Sequence, residues 1–254
     1  MLEFSIFLLV GGVSLLFFML YEARRNVVKM EKVKLLALPH HMSAISIFFI
    51  SDIHKREVSD GIIDEVKGKV DFVIIGGDLL EKGVPYSRVE QNLDKLLTLG
   101  TVYFVWGNND HEVNTNRLKD IFKQKGIIEI VNDSVKVPIQ NGKVNLIGVD
   151  DASTQKASYS SSLKKTTPYE FNILISHDPR LVRQVRKEEG IDLMLSGHTH
   201  GGQIRLFGWG LYKKGRLEKL PQTTLLVSNG YGTTALPLRL GAPAETHLLK
   251  IEKE

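Results

Sequence analysis

Five short hydrophobic runs in this chain each end in side chains that bind metal ions. ISIFFI leads into Ser51-Asp52-Ile53-His54, and DFVII into Gly76-Gly77-Asp78. VYFVW leads into Gly107-Asn108-Asn109-Asp110, FNILI into Ser176-His177-Asp178, and IDLML into Ser196-Gly197-His198-Thr199-His200. A lone D-x-H or H-x-H is more often structural than ligating. Five such endings in order predict one polar site built where successive strands stop, because loops leaving the carboxyl ends of parallel strands converge there. Asp52 and His54 alternate on an extended tail and can face the same side, as can His198 and His200. Asp78 follows two glycines, which let the backbone turn tightly beside a cation. Asn108 offers a neutral oxygen and His177 an imidazole. The seven N and O ligands exceed what one divalent ion takes, so they predict two ions sharing a carboxylate. Without such partners, burying this many His and Asp side chains would be very costly.

The elements that position these residues are legible around them. Ile45 to Ile50, Phe72 to Ile75, Val102 to Trp106, Phe171 to Ile175 and Ile191 to Leu195 read as strands buried on both faces. A strand is also expected within Val27 to Leu35, inside a linker from 22 to 43. Helices are expected over Gly61 to Lys67, Arg88 to Leu99, Asn116 to Lys125 and Leu181 to Glu189, the second and third closed by Gly100 and Gly126. Ile127 to Val131, Ser134 to Pro138 and Val144 to Val149 read as strands around an Asn141-Gly142 turn. Asp150 to Thr167 reads as a long loop. Thr224 to Ser228 and Thr246 to Ile251 close a β-rich second half. The pattern predicts a two-sheet α/β sandwich.

The chain has 254 residues, a net charge of +4 and no cysteine, which excludes disulfides and thiolate metal sites. The positive excess is spread over small clusters at Arg24-Arg25, Lys164-Lys165 and Lys213-Lys214-Gly215-Arg216. No basic stripe with interleaved aromatics appears, so nucleic acid is not expected as a partner. From Phe4 to Tyr21 no residue is charged. As a helix this run spans about 27 Å, close to the hydrocarbon thickness of a bilayer. A cleaved signal peptide would carry Lys or Arg before the run and an A-x-A-like site after it; this chain has Glu3 before and Tyr-Glu-Ala-Arg-Arg after. The reading is therefore a retained anchor over 1–25 and one domain over 26–254. The basic flank from Arg24 to Lys34 places that domain in the cytoplasm by the positive-inside rule.

The ordered series D-x-H, G-D, G-N, H and G-H-x-H resembles the calcineurin-like metallophosphoesterase superfamily. Gly197 to Gln203, Ser228 to Gly232 and Leu236 to Glu245 resemble its bacterial membrane-associated phosphodiesterase branch, so the likeness covers most of the soluble part. It implies the two-sheet αββα sandwich, here preceded by a transmembrane helix, and a phosphate-ester substrate. It implies that Asp52, His54 and His200 bind one ion, that Asn108, His177 and His198 bind a second, and that Asp78 bridges them. A hydroxide between ions about 3.5–4 Å apart would attack phosphorus in line with the leaving oxygen. N/O ligation suits Mn, Fe or Zn.

The chain departs from the family pattern Gly-Asn-His-Asp/Glu at Asn109, with His111 two residues later. An amide donates no readily transferable proton. Asn109, Asp110 and His111 are thus the candidate catalytic positions beside the metal ligands, and His111 is expected to be solvated rather than to act as the acid. Lys55 and Arg56 replace the usual small residues after D-x-H and read as exposed loop charge. Two further readings stay open: a phosphodiesterase for nucleotides or nucleic acid, and a metal-containing scaffold with little turnover. Substrate and oligomeric state have no readable motif.

Overall fold

A computed structural model describes every residue except His40, His41 and Ser43. Among the described residues twelve strands run in chain order as β1 (Val28–Lys34), β2 (Ile45–Ile50), β3 (Phe72–Gly76), β4 (Thr101–Val105), β5 (Ile128–Glu129), β6 (Asp133–Ile139), β7 (Gly142–Val149), β8 (Asn172–Ser176), β9 (Leu193–Ser196), β10 (Arg216–Lys219), β11 (Thr224–Val227) and β12 (Thr246–Glu252). They form two six-stranded sheets, ordered β1-β12-β2-β3-β4-β5 and β10-β11-β9-β8-β7-β6. In the first, β2 to β5 are mutually parallel; in the second, β7, β8, β9 and β11 are. The parallel strands of each sheet therefore deliver their following loops to one edge.

Alternation along each strand divides the apolar side chains between layers. Ile45, Ile47 and Phe49 of β2 point between the sheets, where they meet Leu146, Ile173, Ile175 and Leu195 from the second sheet. Phe48 and Ile50 point the other way, into a cluster with side chains of α2 (Asp60–Val66), α3 (Tyr86–Leu97) and α4 (Thr115–Lys125). These helices cover the outer face of the first sheet. Helix α4 ends as its sequence predicts: Gly126 takes φ 72° and its N–H returns to the Phe122 carbonyl, the left-handed stop that glycine adopts without a Cβ penalty.

The outer face of the second sheet is covered more thinly. The stretch read as one helix from Leu181 to Glu189 is two 3₁₀ turns, Pro179–Arg183 and Lys187–Glu189. Arg186 between them is extended (φ −107°, ψ 148°) and the Glu189 carboxylate accepts its N–H, so the α-helical ladder is broken at that residue. The loop from Asp150 to Thr167 contains a 3₁₀ turn (Ala152–Thr154) and α5 (Tyr159–Ser162), whose Ser162 donates to the Gly148 carbonyl. Strand β10 lies within a basic stretch that gave no strand signal.

At the N-terminus α1 runs from Leu2 to Arg24. Most of it stands clear of the protein, including Phe7, Leu9 and Phe17. Its last turn does not. Glu22 and Ala23 are buried, the Met19 carbonyl accepts the Arg239 N–H at 3.1 Å, and the Glu22 carbonyl accepts the Ala244 N–H at 3.4 Å. Arg56 completes the junction. Its guanidinium lies 3.7 Å over the Tyr231 ring and donates to the carbonyls of Ala23, Arg24, Arg25 and Tyr231 and to the Asn26 side chain. Arg56 is therefore a structural clamp on the helix end rather than an exposed loop charge. Residues 22–27 are docked, with Val27 accepting the Thr246 N–H, and do not form a free linker.

Candidate active site

The loops after β2, β3, β4, β8 and β9 converge, and three groups of ligand atoms each lie within 4.8 Å of one another: Asp52, His54 and His200; Asp52, Asp78 and His177; and Asp151, His177 and His198. His54 Nε2 and His200 Nε2 are 3.1 Å apart. That is the separation of two nitrogens at right angles on one ion about 2.1 Å away. Asp78 Oδ2 is 3.2 Å from His177 Nε2 and 3.7 Å from His54 Nε2, so it lies between the two sides of the site. Asn108 Oδ1 is 2.9 Å from His198 Nδ1. All seven expected ligands are thus brought together.

The backbone is bent to achieve this. Asp52, His54, Asp78, His198 and His200 all have positive φ, between 49° and 70°. Non-glycine residues rarely take this region, and strain of this kind clusters at functional sites. Two glycines allow the approach of the loops. A Cβ on Gly107 would stand 2.3 Å from Asp78 Oδ1, and one on Gly197 would stand 2.3 Å from Asp52 Oδ2.

Neighbouring groups orient the rings. His177 Nδ1 lies 2.8 Å from the Gly76 carbonyl. Donation there leaves Nε2 with a free lone pair, and that nitrogen is buried without a well-directed hydrogen bond, although Asp78 Oδ2 lies 3.2 Å away. His54 Nδ1 faces the Glu81 carboxylate at 3.0 Å, off the line of a well-directed hydrogen bond, while Lys55 pairs with the other Glu81 oxygen at 2.7 Å. His200 is ringed by Arg239, which is wholly buried and donates to the carbonyls of Asn229, Gly230, Gly232, Ala242 and His200.

Electrostatics fit a cation. Burial opposes charge on His177, but Asp78 and Asp52 outweigh it and hold its pKa well above the ordinary value. Burial likewise opposes charge on His54, and Glu81, Asp78 and Asp52 raise its pKa nonetheless. His200 is pushed down to about 3 by burial, with His54 and Arg239 adding to the effect against Asp52, so it stays neutral. A buried carboxylate pair facing imidazole lone pairs and an orphaned nitrogen is what divalent ions satisfy.

The three candidate catalytic positions separate. Asn109 donates its backbone N–H to Asp78 Oδ1 at 2.8 Å and its side-chain amide to Asp78 Oδ2 at 2.7 Å. Asp110 is buried and accepts the backbone N–H groups of Asp78, Gly107 and Leu80, tying two strand-end loops together. His111 is not solvated: its Nε2 is 2.6 Å from Asp150, its ring stacks on Trp106, and it faces a cavity lined by none of the seven ligands. The sequence reading missed Glu81, Asp151 and Arg239. For Asp151 a signal existed, since VNLIGV ending in Asp150-Asp151 is a sixth apolar run of the same form.

A profile described as calcineurin-like phosphoesterase matches residues 45–202. The chain belongs to this family. It is 43% identical over 209 residues to YpbG of Bacillus subtilis, covering 82% of this chain and 81% of that protein. It is 27% identical over 171 residues to the phosphodiesterase YaeI of Escherichia coli, covering 63% of this chain and 62% of YaeI. The fold matches the 5'-nucleotidase precursor of Thermus thermophilus with a TM-score of 0.54 at 14% identity, over 82% of this chain and 55% of the nucleotidase. As a family member the chain is a metal-dependent phosphoric ester hydrolase that uses two divalent ions, and the two-sheet sandwich expected from the resemblance is the fold observed.

Proposed function

We propose that this phosphoesterase acts at a membrane surface on a phosphodiester, phosphomonoester or pyrophosphate bond of an anionic substrate. The observation that carries the reading is the convergence of Asp52, His54, Asp78, Asn108, His177, His198 and His200 at one sheet edge. Asp52, His54 and His200 would hold one ion, Asn108, His177 and His198 the other, with Asp78 between them. Two such ions supply Lewis-acid stabilisation of phosphoryl oxygens and activation of water. The protein's part is orientation. Gly76 and Glu81 fix two rings, Asn109 holds both oxygens of Asp78, and Asp110 holds the loops that present Asp78 and Asn108. With His111 engaged by Asp150, no histidine among the described residues stands ready as a general acid, which favours substrates with good leaving groups.

Beside His198 a cavity of about 370 Å³ is lined by Arg180, Arg183, Lys213 and Arg216 together with Tyr212 and Leu225. Its mixture of cations and apolar groups suits an anionic substrate with an apolar part. The docked end of α1 supports a retained anchor, since cleavage there would strip Arg56 of three of its five acceptors. Leu206, Phe207, Trp209 and Leu211 are exposed on the loop that pairs through Arg205 with Leu240, next to the Arg239–Met19 contact. This puts an apolar surface near the helix base, where a bilayer would cover it. The basic flank argues for the cytoplasmic side.

The test is turnover of a chromogenic phosphodiester by the detergent-purified chain with Mn, beside the same headgroup presented in anionic vesicles. Metal-dependent turnover that is lost in Asp78→Ala and is faster on vesicles is expected. No turnover of diester, monoester or pyrophosphate by protein carrying two ions would overturn the catalytic reading. Equal rates on vesicles and soluble analogues would overturn the membrane one.

A further inference from the structure

We infer that Asp151 is an eighth ligand, a carboxylate belonging to the second ion, the one assigned above to Asn108, His177 and His198. Asp151 follows the end of β7, the strand beside β8, whose end is followed by His177. It is wholly buried, and its ligand atom lies within 4.8 Å of those of His177 and His198. Its two oxygens are used unequally. Oδ1 accepts the Ser153 N–H at 2.8 Å and the Ser153 hydroxyl. Oδ2 is buried with no hydrogen-bond partner, as is His177 Nε2. A buried carboxylate oxygen left bare is costly, and one divalent ion would satisfy both orphaned atoms.

Charge gives the arrangement a reason. With the seven ligands alone, the first ion is held by Asp52 and a share of Asp78. The second has only the same share of Asp78, with two neutral imidazoles and an amide. Asp151 equalises the two sides at one full carboxylate each. It also makes five protein donors around the second ion, and this oxygen-rich set favours harder ions such as Mn over Zn. Neighbouring Asp150 does not compete, because His111 occupies it.

The inference rests on the two-ion reading, and the experiment separates them. Ions per chain are counted by elemental analysis of the full-length protein across a chelator series, for the native protein, Asp151→Asn and Ser153→Ala. Removing groups that merely orient a ligand typically weakens metal binding 10–100-fold. Loss of a direct anionic ligand is therefore expected to weaken the second ion by about 100-fold or more, leaving the first in place, with a shift from Mn toward Zn. Ser153→Ala, which leaves Oδ2 untouched, should retain both ions. Asp151→Asn holding two ions as tightly as the native protein would overturn the inference. A Ser153→Ala protein that lost its second ion equally would also overturn it, showing that the turn matters and not Oδ2. A native protein that never exceeds one ion would overturn the underlying two-ion reading instead.

Discussion

Where the N-terminal helix can be cut follows from the clamp at Arg56. Deleting residues 1–18 removes exposed helix alone. Deleting 1–25 also removes the Arg24 and Arg25 carbonyls that accept from Arg56 at 3.1 and 3.2 Å, and the Met19 carbonyl that accepts from Arg239 at 3.1 Å. The longer bonds to the Ala23 and Glu22 carbonyls, at 3.4 Å, are lost as well. A hydrogen bond to a charged group contributes about 1.5–3 kcal/mol and a neutral one about 1 kcal/mol. Arg56 is partly exposed, so water replaces some of this, and about 1 kcal/mol for each of the three shorter bonds is a fair sum. The longer deletion should thus cost about 3 kcal/mol more than the shorter, or roughly 6–12 °C in melting temperature for a domain of this size. Thermal unfolding by circular dichroism in excess Mn reads the difference. Arg56→Ala supplies the second arm of a cycle: it should cost about 2 kcal/mol less in the longer deletion than in the shorter, because the Arg24 and Arg25 carbonyls are already gone while Tyr231 and Asn26 remain. Equal melting temperatures for the two truncations, or an equal cost of Arg56→Ala in both, would refute the clamp.

Three other expectations test the site and the sheet behind it. Glu81→Gln removes the carboxylate facing His54 Nδ1 and should weaken the first ion 10–100-fold in chelator competition, with the second unaffected; native affinity would show that His54 needs no such partner. His111→Ala should change turnover of an activated ester less than twofold, whereas Asn109→His should raise turnover of alkyl esters more than of activated ones; a large His111→Ala loss that fades as the leaving group becomes more acidic would make His111 the acid. Asp192 accepts the Asn172 N–H, and burial pushes its carboxyl up to about 6 against that hydrogen bond. Its folded pKa is raised, so between about pH 4 and 6 the native state holds a proton that the unfolded state has released. Stability therefore falls as pH rises through that window. Asp192→Asn should abolish the fall and gain up to about 3 kcal/mol above pH 6 with none at pH 4; an unchanged slope of melting temperature against pH would refute the assignment.

Much of this was legible because the proposed ligands sit at strand ends. A run such as ISIFFI is buried on both faces, so its polar tail can only mark where the strand emerges, and the metal-binding residue types then announce themselves. Asp151 escaped because its strand ends in two adjacent aspartates at the mouth of a Ser- and Lys-rich stretch, where carboxylates ordinarily face water. Arg239 and Arg56 escaped for another reason. Their partners are backbone carbonyls and a tyrosine brought near by the fold, and a carbonyl leaves no trace in residue type. The segment from Leu181 to Glu189 has helical apolar spacing at Leu181, Val182 and Val185, but the covering it gives the sheet is short enough for two 3₁₀ turns.

Five of the seven proposed ligands hold a backbone conformation that L-residues avoid, and the loops carrying them are drawn toward one another around like charges. Each ion that binds only the folded chain shifts the folding equilibrium by an amount set by its free concentration relative to its dissociation constant. The amount of this protein that a cell keeps folded is then coupled to its supply of metal. Scarcity would act first on abundance, through clearance of chains whose strained loops have opened, before it acted on the rate of any surviving molecule.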